Sequence, residues 1–304
     1  ERTRAACATC HVDDVGAARR IVFTGDLGRR GMPILRDPEI PGGANLLISE
    51  STYGGREHPD IEQMEEALAR VVNETFDRGG KLIIPSFALE RAQEVIFALK
   101  RLKRAGRLPR VPVYVDSPLT IRLTEVFRRH PDCFDPQAKE LLDQGDSPFD
   151  FPDLHYIEAV EDSKALSNSN DPAIVISASG MCESGRVVHH LRAAIENDAN
   201  TVLIVGWQAQ HTLGRRLVEQ RRRVPIFGVE RDRNARVVVL NGFSAHADHS
   251  DLVDFALAVR ERGQLRRVAL VHGESPATAA LRAALEEHGF PDVRIPERGE
   301  RVQV

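Results

Sequence analysis

The sequence predicts an α/β protein on three observations. Short runs of β-branched and other apolar residues recur along its length, segments with apolar residues at helical spacing separate them, and glycines close several of those segments. An apolar run of three or four residues bounded by turn formers suits a strand buried on both faces, as in a parallel sheet covered by helices.

In chain order, Ile21-Val22-Phe23 and Leu46-Leu47-Ile48 are the first such runs. Ile61, Met64, Leu68, Val71 and Val72 then mark one helix face that stops at Gly79-Gly80, where a left-handed residue ends a helix without strain. Leu82-Ile83-Ile84 reads as a strand, and Ala92, Val95, Ile96 and Leu99 form a second helical face before Gly106. Val113-Tyr114-Val115 is the next strand. Over 132–170 the pattern lapses into Asp, Pro, Ser and Asn, and a long surface excursion is expected there. Regularity returns with Ile174-Val175-Ile176, a helix over 186–195, and the strands Val202-Leu203-Ile204 and Val237-Val238-Val239. A helix over 252–259, the strand Val268-Ala269-Leu270-Val271 and a helix over 277–285 complete the series.

With 42% hydrophobic and 28% charged residues over 304 positions, the chain can bury a full core and form two lobes. No apolar run reaches the roughly 18 to 20 residues of a membrane span. No secretory signal pattern opens the sequence, so a cytoplasmic setting without a membrane partner is expected. The first residue is Glu1 rather than Met, and the sequence is expected to begin inside a larger product. A net charge of −4 excludes a uniformly basic coat, so any phosphate binding must be local. The arginines at 215, 216, 221, 222 and 223 read either as a solvated face or as such a local contact. Four cysteines, at 7, 10, 133 and 182, are too few and too scattered for a disulfide framework. Cys7-Ala8-Thr9-Cys10-His11 has the spacing of covalent haem attachment, but the missing export signal and the α/β pattern argue against that use.

Open α/β sheets place chemistry just beyond the C-terminal ends of strands. Four such ends carry polar residues: Thr24-Gly25-Asp26-Leu27-Gly28, Ser49-Glu50-Ser51-Thr52-Tyr53-Gly54, Asn241-Gly242-Phe243-Ser244-Ala245-His246-Ala247-Asp248, and Leu270-Val271-His272-Gly273-Glu274. Each alone is compatible with turn capping, whereas a short carboxylate can also bridge metals and a histidine after a buried strand can ligate one.

In this order, and with Pro85-Ser86-Phe87-Ala88-Leu89-Glu90-Arg91, Asp116-Ser117-Pro118, Ser177-Ala178-Ser179-Gly180-Met181 and Gly206-Trp207-Gln208 between them, the four motifs resemble the β-CASP branch of the metallo-β-lactamase superfamily. The resemblance is to its bacterial and archaeal RNA-processing members and covers nearly the whole chain. It implies a partial metallo-β-lactamase αββα sandwich with an inserted Rossmann-like β-CASP domain: 1–58 and 241–304 in the former, 59–240 in the latter. It also implies two Zn2+ ions in the full-length parent, with Asp26 bridging them and His272 ligating one. Glu50 and His246 match the pair in which a carboxylate orients a proton-donating imidazole. Ser179, Gly180, Met181 and Arg186 are the residues expected to meet RNA, through amides and a guanidinium at a helix N-terminus. His189 and His190 follow on that helix, and neither is expected on metal.

The superfamily's main motif, H-x-H-x-D-H, is not found ahead of Asp26, and His246-Ala247-Asp248-His249 lacks the first histidine and lies in the wrong context. The sequence is therefore expected to be the C-terminal portion of a metal-dependent ribonuclease, inactive alone. Alternatives are a non-catalytic RNA-binding scaffold, a DNA-directed relative, for which a residue other than histidine is expected at position 272, and a small thioester hydrolase, which needs no long insertion. Self-association into a homodimer is left open.

Overall fold

The computed structural model describes residues 8–14 and 17–302, with side chains from Arg19 onward apart from Asn241. The haem-like Cys7 to His11 segment thus lies outside the described side chains.

The chain forms two compact units: Glu1–Met32, Arg36–His58 and Ala245–Val304 make the first, Pro33–Leu35 and Pro59–Ser244 the second. In chain order the elements are β1 (Ala8–Asp14), β2 (Ala17–Phe23), β3 (Leu46–Glu50), α1 (Ile61–Asp77), β4 (Leu82–Pro85), α2 (Arg91–Arg104), β5 (Val113–Val115), α3 (Pro118–Arg129), α4 (Pro136–Asp143), β6 (Leu154–Tyr156) and α5 (Val160–Asn168). There follow β7 (Ile174–Ser177), α6 (Arg186–Ala194), β8 (Thr201–Ile204), α7 (Leu213–Val218), β9 (Arg223–Ile226), β10 (Val229–Asp232), β11 (Arg236–Val239), α8 (His249–Glu261), β12 (Arg267–Val271), α9 (Ser275–Glu287) and β13 (Val293–Arg294). The α/β class and all eight strands expected from apolar runs are present.

The first unit is built on a five-stranded sheet in the order β1-β2-β3-β12-β13. Its β1–β2 pair is antiparallel and the remaining pairs are parallel. Val22, Leu47, Val268 and Leu270 pack against Leu252, Phe255, Ala256 and Val259 of α8 and Leu281 and Leu285 of α9. Each of these valine, leucine and phenylalanine side chains contributes about 1.5–3 kcal/mol when buried. Helix α8 starts at Asp248, whose carboxylate accepts the Asp251 amide at 3.0 Å.

The second unit is a six-stranded parallel sheet ordered β11-β8-β4-β7-β5-β6. Ile83, Val175, Val202 and Ile204 meet Val187, Val188 and Leu191 of α6, Leu213 and Leu217 of α7, and Val224 and Ile226 of β9. The stretch 132–170 differs from the expected excursion. It holds α4, β6 and α5, because Asp135-Pro136 starts a helix, with the Asp135 carboxylate accepting the Ala138 amide at 2.6 Å. Phe134 and Phe149 anchor it, fully buried with Phe97 and Phe127, and the Phe127–Phe149 rings meet edge-on at 5.7 Å.

Between β9 and β10 the chain turns at Phe227-Gly228, with φ of 52° and 74°. Glycine adopts this left-handed backbone readily, whereas the phenylalanine costs about 1–2 kcal/mol. Among the described residues, no helix is long and apolar enough to cross a membrane.

Candidate metal centre and catalytic pair

In the first unit, β2, β3 and β12 run parallel with Phe23 beside Ile48 and Val271 beside Glu50. The residues that follow each strand therefore leave from one edge of the sheet. That register converts motifs far apart in sequence into neighbours: Asp26 after β2, Glu50 at the end of β3, His272 after β12.

Glu50 is buried, its side chain 1% exposed. Its Oε1 accepts the Leu27 amide at 2.6 Å, Oε2 accepts the Thr52 amide at 3.3 Å, and both oxygens lie 3.0 Å from Nδ1 of His246. A carboxylate only accepts, so the network assigns a proton to Nδ1 of His246. Nε2 then offers a lone pair in the neutral ring and an N–H in the charged one.

The backbone fixes His246 in turn. Gly28 and His246 form an antiparallel bridge, the Ala247 amide donates to the Leu27 carbonyl at 2.8 Å, and the Arg29 amide donates to the Ala245 carbonyl at 2.9 Å. The His246 carbonyl lies 3.2 Å from Nε2 of His58, whose ring stands 4.5 Å from that of Tyr53. Burial, and after it the positive charge of Arg29, hold the His58 imidazole below its ordinary pKa. A neutral ring can donate to that carbonyl without bringing a further charge to the site.

His272 has a left-handed φ of 53° and precedes Gly273. A Cβ at Gly273 would fall 2.3 Å from Oγ of Ser51, 2.6 Å from its carbonyl oxygen and 2.7 Å from Oγ1 of Thr278. Only glycine lets the chain turn this closely after β12. Thr52 Oγ1 donates to the His272 carbonyl at 3.0 Å, and the imidazole Nδ1 stands 3.2 Å from Oδ1 of Asp26. Both side chains are open to solvent, 60% and 68% exposed, while His246 is 25% exposed.

Asp26, His246 and His272 each offer one ligand atom, and these atoms lie within 4.8 Å of one another. A carboxylate and two imidazoles are a donor set zinc accepts, and three protein ligands with an open position are the pattern of catalytic zinc. The residues thus fit a divalent ion. The other acid and histidine in the same stretch serve the backbone. Asp248 caps α8 and also accepts the His58 amide at 3.1 Å, and Nδ1 of His249 lies 2.6 Å from the Gly54 carbonyl.

In the second unit, Ser179, Gly180 and Met181 lie in the loop from β7 to α6. The Gly180 carbonyl accepts from the Gln208 amide at 3.0 Å and the Met181 carbonyl from the Gly214 amide at 3.1 Å. Gly180 also seats Phe87, whose ring atoms and amide would lie 2.9–3.0 Å from an added Cβ. The amide of Ser179 is taken by the Ser184 carbonyl at 3.2 Å.

Arg186 is placed differently from the sequence expectation of a substrate contact. Its Nη1 donates to Asp116 at 2.7 Å and to the Ile157 carbonyl at 3.0 Å, and its Nη2 donates to the Glu158 carbonyl at 2.6 Å. Asp116 is fully buried and also meets Nε2 of His190 and Oγ of Ser163, each at 2.6 Å. Burial would push its carboxyl up, but the hydrogen bonds from His190, Ser163 and Arg186 outweigh burial and hold it below the ordinary carboxylate range. Of the arginine cluster, Arg215 and Arg221 pair with Glu219 at 2.9 Å and Arg223 with Asp232 at 3.4 Å.

Tyr53 and His58 were not singled out by sequence. Their only signal was position, in the polar Tyr53–His58 stretch that follows a strand-end glutamate.

Parallel strand ends that bring Asp26, Glu50 and His272 together, with His246 bridged to Gly28, define an α/β protein with a candidate divalent-metal site, here accompanied by a second parallel-sheet unit. Residues 92–217 match the Beta-Casp domain, and residues 230–296 match the Zn-dependent metallo-hydrolase RNA specificity domain. Through these two domains the chain belongs to the β-CASP branch of the metallo-β-lactamase superfamily, and its α/β architecture is that of the fold expected from the resemblance. It is 36% identical over 289 residues to ribonuclease TTHA0252 of Thermus thermophilus, covering 95% of this chain and 65% of that protein. It is 30% identical over 285 residues to transcription termination factor FttA of Methanosarcina mazei, and 30% identical over 266 residues to that of Pyrococcus horikoshii. These matches cover 90% and 85% of this chain, but only 44% and 40% of the archaeal factors.

Proposed function

We propose that this chain carries part of the active site of a zinc-dependent hydrolase of RNA phosphodiester bonds. The observation that supports this most is the pairing of Glu50 with His246 beside the Asp26–His272 couple, at 3.0 and 3.2 Å. The match of 230–296 to an RNA specificity domain spans both histidines, and a relative is named a ribonuclease.

Asp26 and His272 would hold the metal. When bound there, zinc would make a water nucleophilic near neutral pH and offset charge on the phosphoryl oxygens. The chain's own contribution is the proton. With Nδ1 held by the buried Glu50, His246 is oriented so that Nε2–H can donate to the departing 3′-oxygen, and the carboxylate stabilises the imidazolium before transfer. The narrow left-handed turn at His272-Gly273 sets the ligand distance to Asp26. Among the described residues, the ligand-range spacing of His246 supports a second reading, in which Nε2 binds the ion and Glu50 tunes a ligand.

The test is paired metal analysis and single-turnover cleavage of a labelled RNA, using a preparation that cleaves RNA. His246→Ala is expected to slow cleavage by about 10² to 10⁴ with zinc content unchanged, as loss of a positioned acid does. His272→Ala is expected to lower both. Zinc lost from His246→Ala would favour the second reading, and undiminished cleavage in both variants would end the proposal.

A further inference from the structure

The turn between β9 and β10 places a phenylalanine where hairpins of this hand favour Asn-Gly, since both central residues need a left-handed backbone. Phe227 gains no core burial in return: it is 55% exposed, and neighbouring Val229 is 56% exposed. Its ring leans on α6. The centroid lies 4.8 Å from the His189 ring at 47°, and the Arg192 guanidinium carbon is 5.8 Å from the Phe227 centroid. His189 and Arg192 are exposed, three residues apart on one helix face.

The surroundings are rich in arginine, and part of that charge is unpaired. Positions 221–236 carry six arginines, at 221, 222, 223, 231, 233 and 236, of which Arg221, Arg223, Arg231 and Arg236 pair with Glu219, Asp232, Glu196 and Glu74. Among the described residues, Arg192 and Arg222 have no acidic partner, and Arg233 donates only to carbonyls, those of Gln220, Arg221 and Ala235. An aromatic face backed by a guanidinium and an imidazole suits a flat, electron-rich ring carrying negative charge nearby.

We propose that Phe227, with His189 and Arg192, is a stacking platform for a base of single-stranded RNA whose phosphates meet Arg192, Arg222 and Arg233. This rests on the RNA reading above and adds to it the strandedness of the substrate, because paired bases do not expose their faces. It also assigns a role to residues remote in sequence from all four strand-end motifs.

The test measures binding of labelled oligouridylate and of an RNA duplex to this chain by fluorescence anisotropy. Phe227→Ala is expected to weaken single-strand binding about five- to a hundredfold, the range that removing one base–aromatic stack produces, while duplex binding changes little. Phe227→Tyr is expected to restore it. Photoreactive uridine in the single strand is expected to crosslink the unmodified chain at the peptide containing Phe227, a readout independent of how the variants fold. Single-strand binding unchanged in Phe227→Ala, with crosslinks elsewhere, overturns the platform and leaves the RNA reading standing. No RNA binding by the unmodified chain overturns both. Self-association that Phe227→Ala abolishes, seen by sedimentation, would make this face a contact between copies instead and overturn the platform.

Discussion

Replacing Asp116 by asparagine removes the one negative charge on which three side chains of the second unit converge. Arg186, His190 and Ser163 all direct donors at this carboxylate, at 2.6 to 2.7 Å, and the acid itself is fully buried. The amide keeps one acceptor oxygen for three donors, and its NH2 meets an acceptor only if Ser163 or His190 gives up its own donor role. Breaking a buried pair from one side typically costs about 3–5 kcal/mol, because the partner charge stays buried. At about 2–4 °C per kcal/mol for a domain of this size, the melting temperature of the unit should fall by about 6–20 °C. The assay is thermal unfolding followed by circular dichroism across a pH series. Because the Asp116 carboxyl sits below its ordinary range in the folded state, its contribution is complete above the unfolded pKa of about 3.9. It disappears as pH falls through the lower, folded value. The gap between unmodified chain and Asp116→Asn should therefore be widest near neutrality and narrow on acidification. A melting temperature unchanged by the substitution, or a gap that widens in acid, would refute the network as a stabilising element.

Gly273→Ala should destabilise the first unit by about 1–3 kcal/mol, since the added Cβ overlaps Ser51 and Thr278, whereas Gly206→Ala, which meets nothing within 4 Å, should be close to neutral in the same urea titration. The His58 imidazole should titrate below its ordinary value of about 6.5 when followed by NMR. Arg29→Gln should move that midpoint upward without restoring the ordinary value, because burial is the larger cause. A histidine with a lowered folded pKa is neutral when folded, so its linkage lowers stability as pH falls below about 6.5, opposite in sign to a histidine that gains an acidic partner. Arg186→Ala should reduce the stability of the second unit, as Asp116→Asn does, because its guanidinium donates to Asp116 and to two carbonyls.

The eight expected strands were legible in sequence because each is a contiguous apolar run, most of them buried on both faces; Phe23 at the end of β2 is exposed and β11 lies at a sheet edge. The elements that were missed lack such runs. Strand β6 reads Leu-His-Tyr with an exposed histidine, β9 contains Pro225, and β13 has two residues. Helices α3 and α4 did announce themselves, through Ser117-Pro118 and Asp135-Pro136, where a capping side chain precedes a proline at the first helical position. Their polar surroundings masked that signal. At the candidate site, Asp26, Glu50, His246 and His272 were legible because strand ends can be read from where apolar runs stop. His58 was not, since its contact with the His246 carbonyl spans 188 residues and no local pattern encodes it. Arg186 looked free at a helix start, but its partner Asp116 lies 70 residues earlier, beyond any periodicity.

In the proposed site, the parallel register of β2, β3 and β12 brings Asp26 and His272 together as metal ligands. Calorimetric titration of the chain with Zn2+ tests it most directly, beside Asp26→Ala and His272→Ala. At most one ion per chain is expected, held through Asp26 and His272, with binding lost or strongly weakened in each variant. Tight binding of two ions, or binding that neither substitution weakens, would contradict it.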